Sequence, residues 1–222
     1  MRKKVSSLWL VPMLLLLVGS VAIASGVIRL SAMTDAISTG VIPEDAEGLF
    51  YYVEHSLIST LHLIPGMIIM LLAPLQFVPG VRNRWPSLHR WSGRLLVFSG
   101  ILVAVSAITM ASIFPVIVNH VSTAANITFS ITFIAALCIA LHAIFHRDIA
   151  RHRAWMIRAY AIALTPAIMR IFFSGLYLIL GEEFMGYLPV LIWSTFLFDI
   201  AMAELILYLG RYRKRSLLPS LA

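Results

Sequence analysis

The chain has 222 residues and a formal net charge of +7; it is 60 % hydrophobic and only 12 % charged, against about 25 % charged in soluble domains. With a mean hydropathy of +0.93 it is excluded from the soluble globular class and predicted to be an integral membrane protein. Nucleic acid is excluded as a partner, because the positive charge is divided among the gaps between apolar runs and forms no single basic patch.

Crossing a hydrocarbon core of about 30 Å takes about 20 apolar residues. Six runs qualify: residues 8–28, 55–77, 94–118, 123–145, 155–180 and 187–209. They occupy nearly all of the chain, so the predicted fold class is all-α. One transmembrane domain covers residues 1–222, an integral membrane bundle of six helices joined mostly by short loops. An open sheet would leave backbone amides unpaired in lipid, and the runs lack the period-two alternation of a barrel.

The first run follows Arg2, Lys3 and Lys4. With Ala22, Ile23 and Ala24 near its end it also fits a secretory signal peptide. The run stays apolar to Ile28, long enough to span, so a retained helix is expected; cleavage would leave five spans and the same topology. Residues 29–54 make the one long loop, acidic through Asp35, Glu44, Asp45, Glu47 and Glu54 and carrying the interfacial rings Phe50, Tyr51 and Tyr52. The second run carries His62, followed by the helix-breaking pair Pro65 and Gly66. A buried imidazole there has three readings: haem ligand, proton carrier, or hydrogen-bonded packing group.

The third run is preceded by His89, Arg90 and Trp91 and begins at Arg94; the fifth is preceded by His152 and Arg153 and opens with Trp155 and Arg158. This echo reads as duplication of a two-helix unit or as ordinary interfacial composition. On the fourth run His142 and His146 stand four residues apart with Cys138 one turn above. Such spacing can hold a metal but lacks the glutamate of a zincin. His62, His142, His146 and His152 are the candidate haem or metal ligands, and haem b is the one cofactor suggested. A single cysteine rules out an intrachain disulfide.

On the fifth run His152 and Arg170 lie five turns apart, on one face with Pro166, Ser174 and Tyr177. Across the hairpin 181–186, Asp199 reaches nearly the height of Arg170, so an ion pair is expected. It would either fix the packing of the two helices or form part of a polar site. Glu204, Tyr208 and Arg211 follow on one face of the sixth helix as local charge compensation.

Fifteen of the seventeen Lys and Arg residues fall at one membrane face, which the positive-inside rule makes cytoplasmic, with both termini there. Most carboxylates, including Glu182 and Glu183, fall at the other. The inner arginines are expected to meet the anionic headgroups of the bilayer.

Gln76, Arg82, Arg84 and Pro86, the run LHRWSGR, and later HRAWMIRAYA and Arg170 together resemble the predicted bacterial membrane proteins grouped as domain of unknown function 2306. The matching positions are His62, His89, Arg90, Arg94, His152, Arg153, Trp155, Met156, Arg158 and Arg170. The resemblance implies a bacterial plasma-membrane location and a family without an established activity, and it carries over no catalytic residue.

Of the fifteen inner basic residues only Lys3, Lys4 and Lys214 are lysine, although lysine would serve orientation equally well. That preference favours a specific anionic partner at the inner face: a lipid headgroup, a haem propionate or an acidic substrate. The candidate ligand-binding residues are His62, His89, Arg90, Arg94, His152, Arg153, Arg158, Arg170 and Asp199. A membrane protein with a functional polar core is the first expectation. A haem-binding or quinone-linked redox component is the second. The remaining expectations are a small carrier, for which a homodimer is expected, and an assembly factor with a membrane-complex partner.

Overall fold

The structure is a computed structural model that describes residues 3–43, 46–114, 120–181 and 186–216. Glu44, Asp45, Glu182, Glu183, Arg2 and the end of the third run lie outside the described residues, as do the side chains of Lys3, Lys4, Glu47, Arg213, Lys214 and Arg215.

All regular structure among the described residues is helical, with no strand. The elements are α1 (Lys3–Thr39), α2 (Glu47–Glu54), α3 (Ser56–Gln76), α4 (Pro79–Arg84), α5 (Pro86–Ile113), α6 (His120–Phe145), α7 (Ile149–Leu180) and α8 (Leu188–Ser216). Six of them are long and apolar enough to cross a membrane: α1, α3, α5, α6, α7 and α8. Prolines open α4 and α5, where the missing N–H is no loss.

The expected loop 29–54 is largely helical. α1 continues to Thr39 because the hydroxyls of Ser31, Thr34, Ser38 and Thr39 return to carbonyls three or four residues back, so the polar segment stays satisfied inside a helix. Gly40 stops it at φ 69°, its N–H reaching the Ala36 carbonyl at 3.0 Å.

The arginine-rich stretch between the fourth and fifth runs is also mostly helix. α6 closes with the Asp148 N–H on the Ala143 carbonyl and the Arg147 N–H on that of Ile144, a Schellman motif with Arg147 at φ 60°. The Asp148 side chain then caps α7 by accepting from the Arg151 N–H at 2.9 Å.

Packing follows a ring: α1 on α3, α3 on α5, α5 on α6, α6 on α7, and α7 back on α1. α8 lies against α6 and α7, so α7 touches four other spans, α1, α3, α6 and α8. Small residues allow this close approach. Ala125, Ala140, Ala143, Ala159 and Ala167 are almost fully buried, and a Cβ on Gly100 would come within 2.8 Å of Leu137 on α6. The lipid-directed exterior keeps large apolar side chains such as Leu17, Phe98 and Leu178 exposed.

α3 runs unbroken through Pro65, so the expected helix interruption there is absent, and α7 likewise continues through Pro166. The bundle has an arginine-rich end, formed by α4, the starts of α5 and α7 and the ends of α6 and α8, and an opposite end holding α2.

Candidate functional site

At the arginine-rich end, helix starts position the histidines. His89 is the fourth residue of α5 and His152 the fourth of α7. The rings lie within electrostatic reach of each other, and Arg82 and Arg90 also act on His89. His152 Nδ1 donates to the Ala140 carbonyl of α6 at 2.9 Å. His89 Nδ1 is buried and has no hydrogen-bond partner among the described residues. Among the described residues the groups acting on the charge of His89 are Arg82, His152 and Arg90, none of them a carboxylate.

Beside this cluster a groove of about 610 Å³ opens between α3 and α5, lined by Leu72, Leu88, Trp91, Ser92, Arg94, Leu95 and Phe98. Gln76 on α3 ties it together by donating from Nε2 to Ser92 Oγ at 2.7 Å. Arg94, one of the lining residues, stacks over Trp91 with 5.0 Å from guanidinium carbon to ring centre. Arg90 donates to Ser87 Oγ at 3.2 Å, and Arg153 is exposed.

Arg158 has a different commitment. It stacks on Trp155 at 4.7 Å and forks onto Glu204 of α8, Nε to Oε1 and Nη2 to Oε2 at 3.0 Å. Glu204 is thus compensated chiefly across a helix pair, because α8 packs directly on α7, while Arg211 of its own helix also acts on it electrostatically, as expected.

The expected Arg170–Asp199 pair is absent. Asp199 is buried and accepts from Thr165 Oγ1 at 2.7 Å. Arg170 turns to α1, donating from Nε to Ser25 Oγ at 3.0 Å and from Nη1 to the Pro166 carbonyl at 2.8 Å. Thr165 and Arg170 are five residues apart, about 140° around a helix. Equal height therefore did not mean a shared face.

His62 Nδ1 lies 3.2 Å from both the Val103 carbonyl and Ser106 Oγ of α5. These partners are 14 and 17 residues beyond His89 on the same helix, about 21–25 Å, so His62 and His89 belong to different sites. His142 and His146 stack on each other at 4.1 Å on an exposed face, and Cys138 is exposed and free. Among the described residues no three His, Cys, Asp or Glu side chains converge as a metal site. The polar stripe expected on α7 lines no closed channel, since Pro166, Ser174 and Tyr177 are exposed on the bundle surface.

Sequence reasoning passed over Arg29, Ser25 and Thr165, and took Tyr52 only as an interfacial ring. Arg29 had a signal: with Arg170 it is one of the two basic residues outside the arginine-rich end. Ser25 and Thr165 had none, because a lone hydroxyl in an apolar run is common.

These features define a membrane protein of six candidate spans with polar side chains gathered near each end. Residues 59–207 match the family described as predicted membrane protein (DUF2306), and the chain belongs to that family. No curated protein matches the chain, and no solved structure matches it.

Proposed function

We propose that the protein resides in a bacterial plasma membrane with both termini cytoplasmic, and that its arginine-rich end binds the acidic headgroup of a membrane amphiphile. The observation that carries this reading is the buried, partnerless Nδ1 of His89 amid Arg82, Arg90 and His152. An unsatisfied buried polar atom costs about 1–3 kcal/mol, and an incoming phosphate or carboxylate oxygen would remove that penalty. The adjoining groove supports an amphiphile over a small ion: its walls are Leu72, Leu95 and Phe98, with Arg94 and Ser92 supplying its few polar groups. The one-sided distribution of arginine supports the orientation.

The test is thermal unfolding of the purified protein in neutral detergent with added phosphatidylglycerol or phosphatidylcholine. Phosphatidylglycerol is expected to raise Tm selectively, and His89→Phe combined with Arg90→Gln to weaken its effect about tenfold, the loss of one to two charge-assisted contacts. Equal response to both lipids would sink the reading.

A second reading rests on His89 and His152 standing together among arginines, an arrangement that suits a haem whose propionates meet the guanidinium groups. Its check is the absorption spectrum before and after dithionite, from cells supplied with haem precursor. A sharp reduced band supports haem; a flat visible spectrum from folded protein removes it.

A further inference from the structure

The two arginines outside the arginine-rich end come together in the opposite half of the bundle. Ser25 and Arg29 are four residues apart on α1 and so share a face. Arg170 of α7 donates from Nε to Ser25 Oγ at 3.0 Å, which puts its guanidinium one turn from Arg29. Arg29 and Arg170 act on each other electrostatically, and Tyr52 of α2 lies within the same reach. The Arg29 guanidinium carbon is 4.7 Å from the centre of the Tyr52 ring. His62 of α3 also lies within electrostatic reach of Arg170, and α1, α3 and α7 all touch one another.

Two like charges so placed are out of balance. The ion pairs among the described residues are His55 with Glu54 and Arg158 with Glu204, so neither Arg29 nor Arg170 has a carboxylate partner there. Arg170 uses Nε and Nη1, leaving the donors on Nη2. Arg29 has a ring contact and no hydrogen-bond acceptor among the described residues, so its five donors are unengaged. Both arginines lie in helices long and apolar enough to span, where cations are retained for a partner or a ligand. Ser59, one turn before His62 on α3, adds a fully buried hydroxyl without a partner.

We infer that Arg29 and Arg170 form an oxyanion-binding site between α1, α2, α3 and α7, gripping one phosphate or carboxylate group with their unengaged donors. Two neighbouring guanidinium forks suit a tetrahedral or planar oxyanion, and the bound charge would relieve the repulsion between the arginines. The Tyr52 ring holds Arg29 while Ser25 and the Pro166 carbonyl fix Arg170, so the site is arranged before its ligand arrives. It is separate from the arginine-rich end and does not depend on the reading given for that end.

The experiment is the Tm of the full chain in neutral detergent, titrated with inorganic phosphate and, separately, with phosphatidylglycerol. The wild type, Arg29→Gln, Arg29→Lys and Arg151→Gln are compared, and the lipid titration is made in a His89→Phe/Arg90→Gln background so that the arginine-rich end does not supply the response. A ligand at about one hundred times its Kd should raise Tm by about 5–10 °C in a chain this long. A rise with inorganic phosphate that is lost in Arg29→Gln, reduced in Arg29→Lys and kept in Arg151→Gln supports a soluble oxyanion. The same variant pattern with phosphatidylglycerol alone, in that background, supports a lipid headgroup. A rise kept in Arg29→Gln under these conditions, or no rise with either compound, overturns the proposal. Arg29→Lys retains the charge and the ring contact, so it decides the matter if Arg29→Gln fails to fold.

Discussion

The starts of α5 and α7 carry the same residues at nearly the same spacing: a histidine at the fourth position, then a tryptophan with an arginine stacked on it from three residues further on. In α7 both polar groups are closed. His152 is held by the Ala140 carbonyl and Arg158 by Glu204. In α5 both are open, with His89 Nδ1 partnerless and Arg94 at a groove. The difference comes from neighbours: α7 has α6 and α8 packed against it, whereas α5 packs on α3 and α6 and makes no comparable contact with α8 among the described residues. One pattern of residues therefore serves as a structural clasp in one helix and as a candidate site in the other.

Removing the two arginines is expected to give the largest contrast. Arg158→Ala strands Glu204 within a candidate span and should cost about 2 kcal/mol, the scale of hydrogen bonds to a charged group. The partial exposure of both side chains, 24 % and 45 %, keeps the loss below that of a fully buried pair. Arg94→Ala should stay within about 0.5 kcal/mol while weakening phosphatidylglycerol binding. Reversible unfolding of each variant, alone and with Glu204→Gln, measures both effects. Equal losses for Arg94 and Arg158 would erase the distinction between the two helices.

The histidines should differ in sign. His152→Phe loses a hydrogen bond to Ala140 and is expected to destabilise by about 1 kcal/mol. His89→Phe removes an unsatisfied buried atom and should be neutral or stabilising by up to about 1 kcal/mol, at the expense of ligand binding. Unfolding free energies of the two variants under the same conditions decide the matter. A loss at His89 as large as that at His152 would mean that its ring is already satisfied in the empty protein.

The six spans were legible because hydropathy integrates over about 20 residues and tolerates local error. The His–Trp–Arg spacing was legible for the same local reason. Partner choice was not. Arg170 meets Ser25, 145 residues away in sequence, and Arg158 meets Glu204, 46 away. Neither follows from composition, because every helix in the bundle offers apolar faces of similar character. Height along the axis suggested Arg170 with Asp199, yet azimuth excludes it, since Asp199 faces Thr165. A double-mutant cycle therefore separates height from azimuth. Thr165→Val with Asp199→Asn should couple by about 1 kcal/mol, while Arg170→Ala with Asp199→Ala should add within about 0.5 kcal/mol. Strong coupling in the second cycle would restore the ion pair.

The smallest expected effect concerns the turn that delivers α7. Arg147 occupies φ 60°, a conformation that disfavours residues with a Cβ and suits glycine, the usual residue at this place in a Schellman motif. The α6–α7 connection is only three residues, His146, Arg147 and Asp148, and Asp148 must still reach back to the Ala143 carbonyl and forward to the Arg151 N–H. Arg147→Gly keeps both bonds and removes the steric penalty. Glycine also gives the unfolded chain more freedom, so the net gain should be about 0.5 kcal/mol. If Arg147→Gly instead destabilises, the Arg147 side chain makes a contact that outweighs its backbone strain. If it stabilises while headgroup binding weakens, the strained arginine is retained for its charge at that face, as the open arginines at the start of α5 would be.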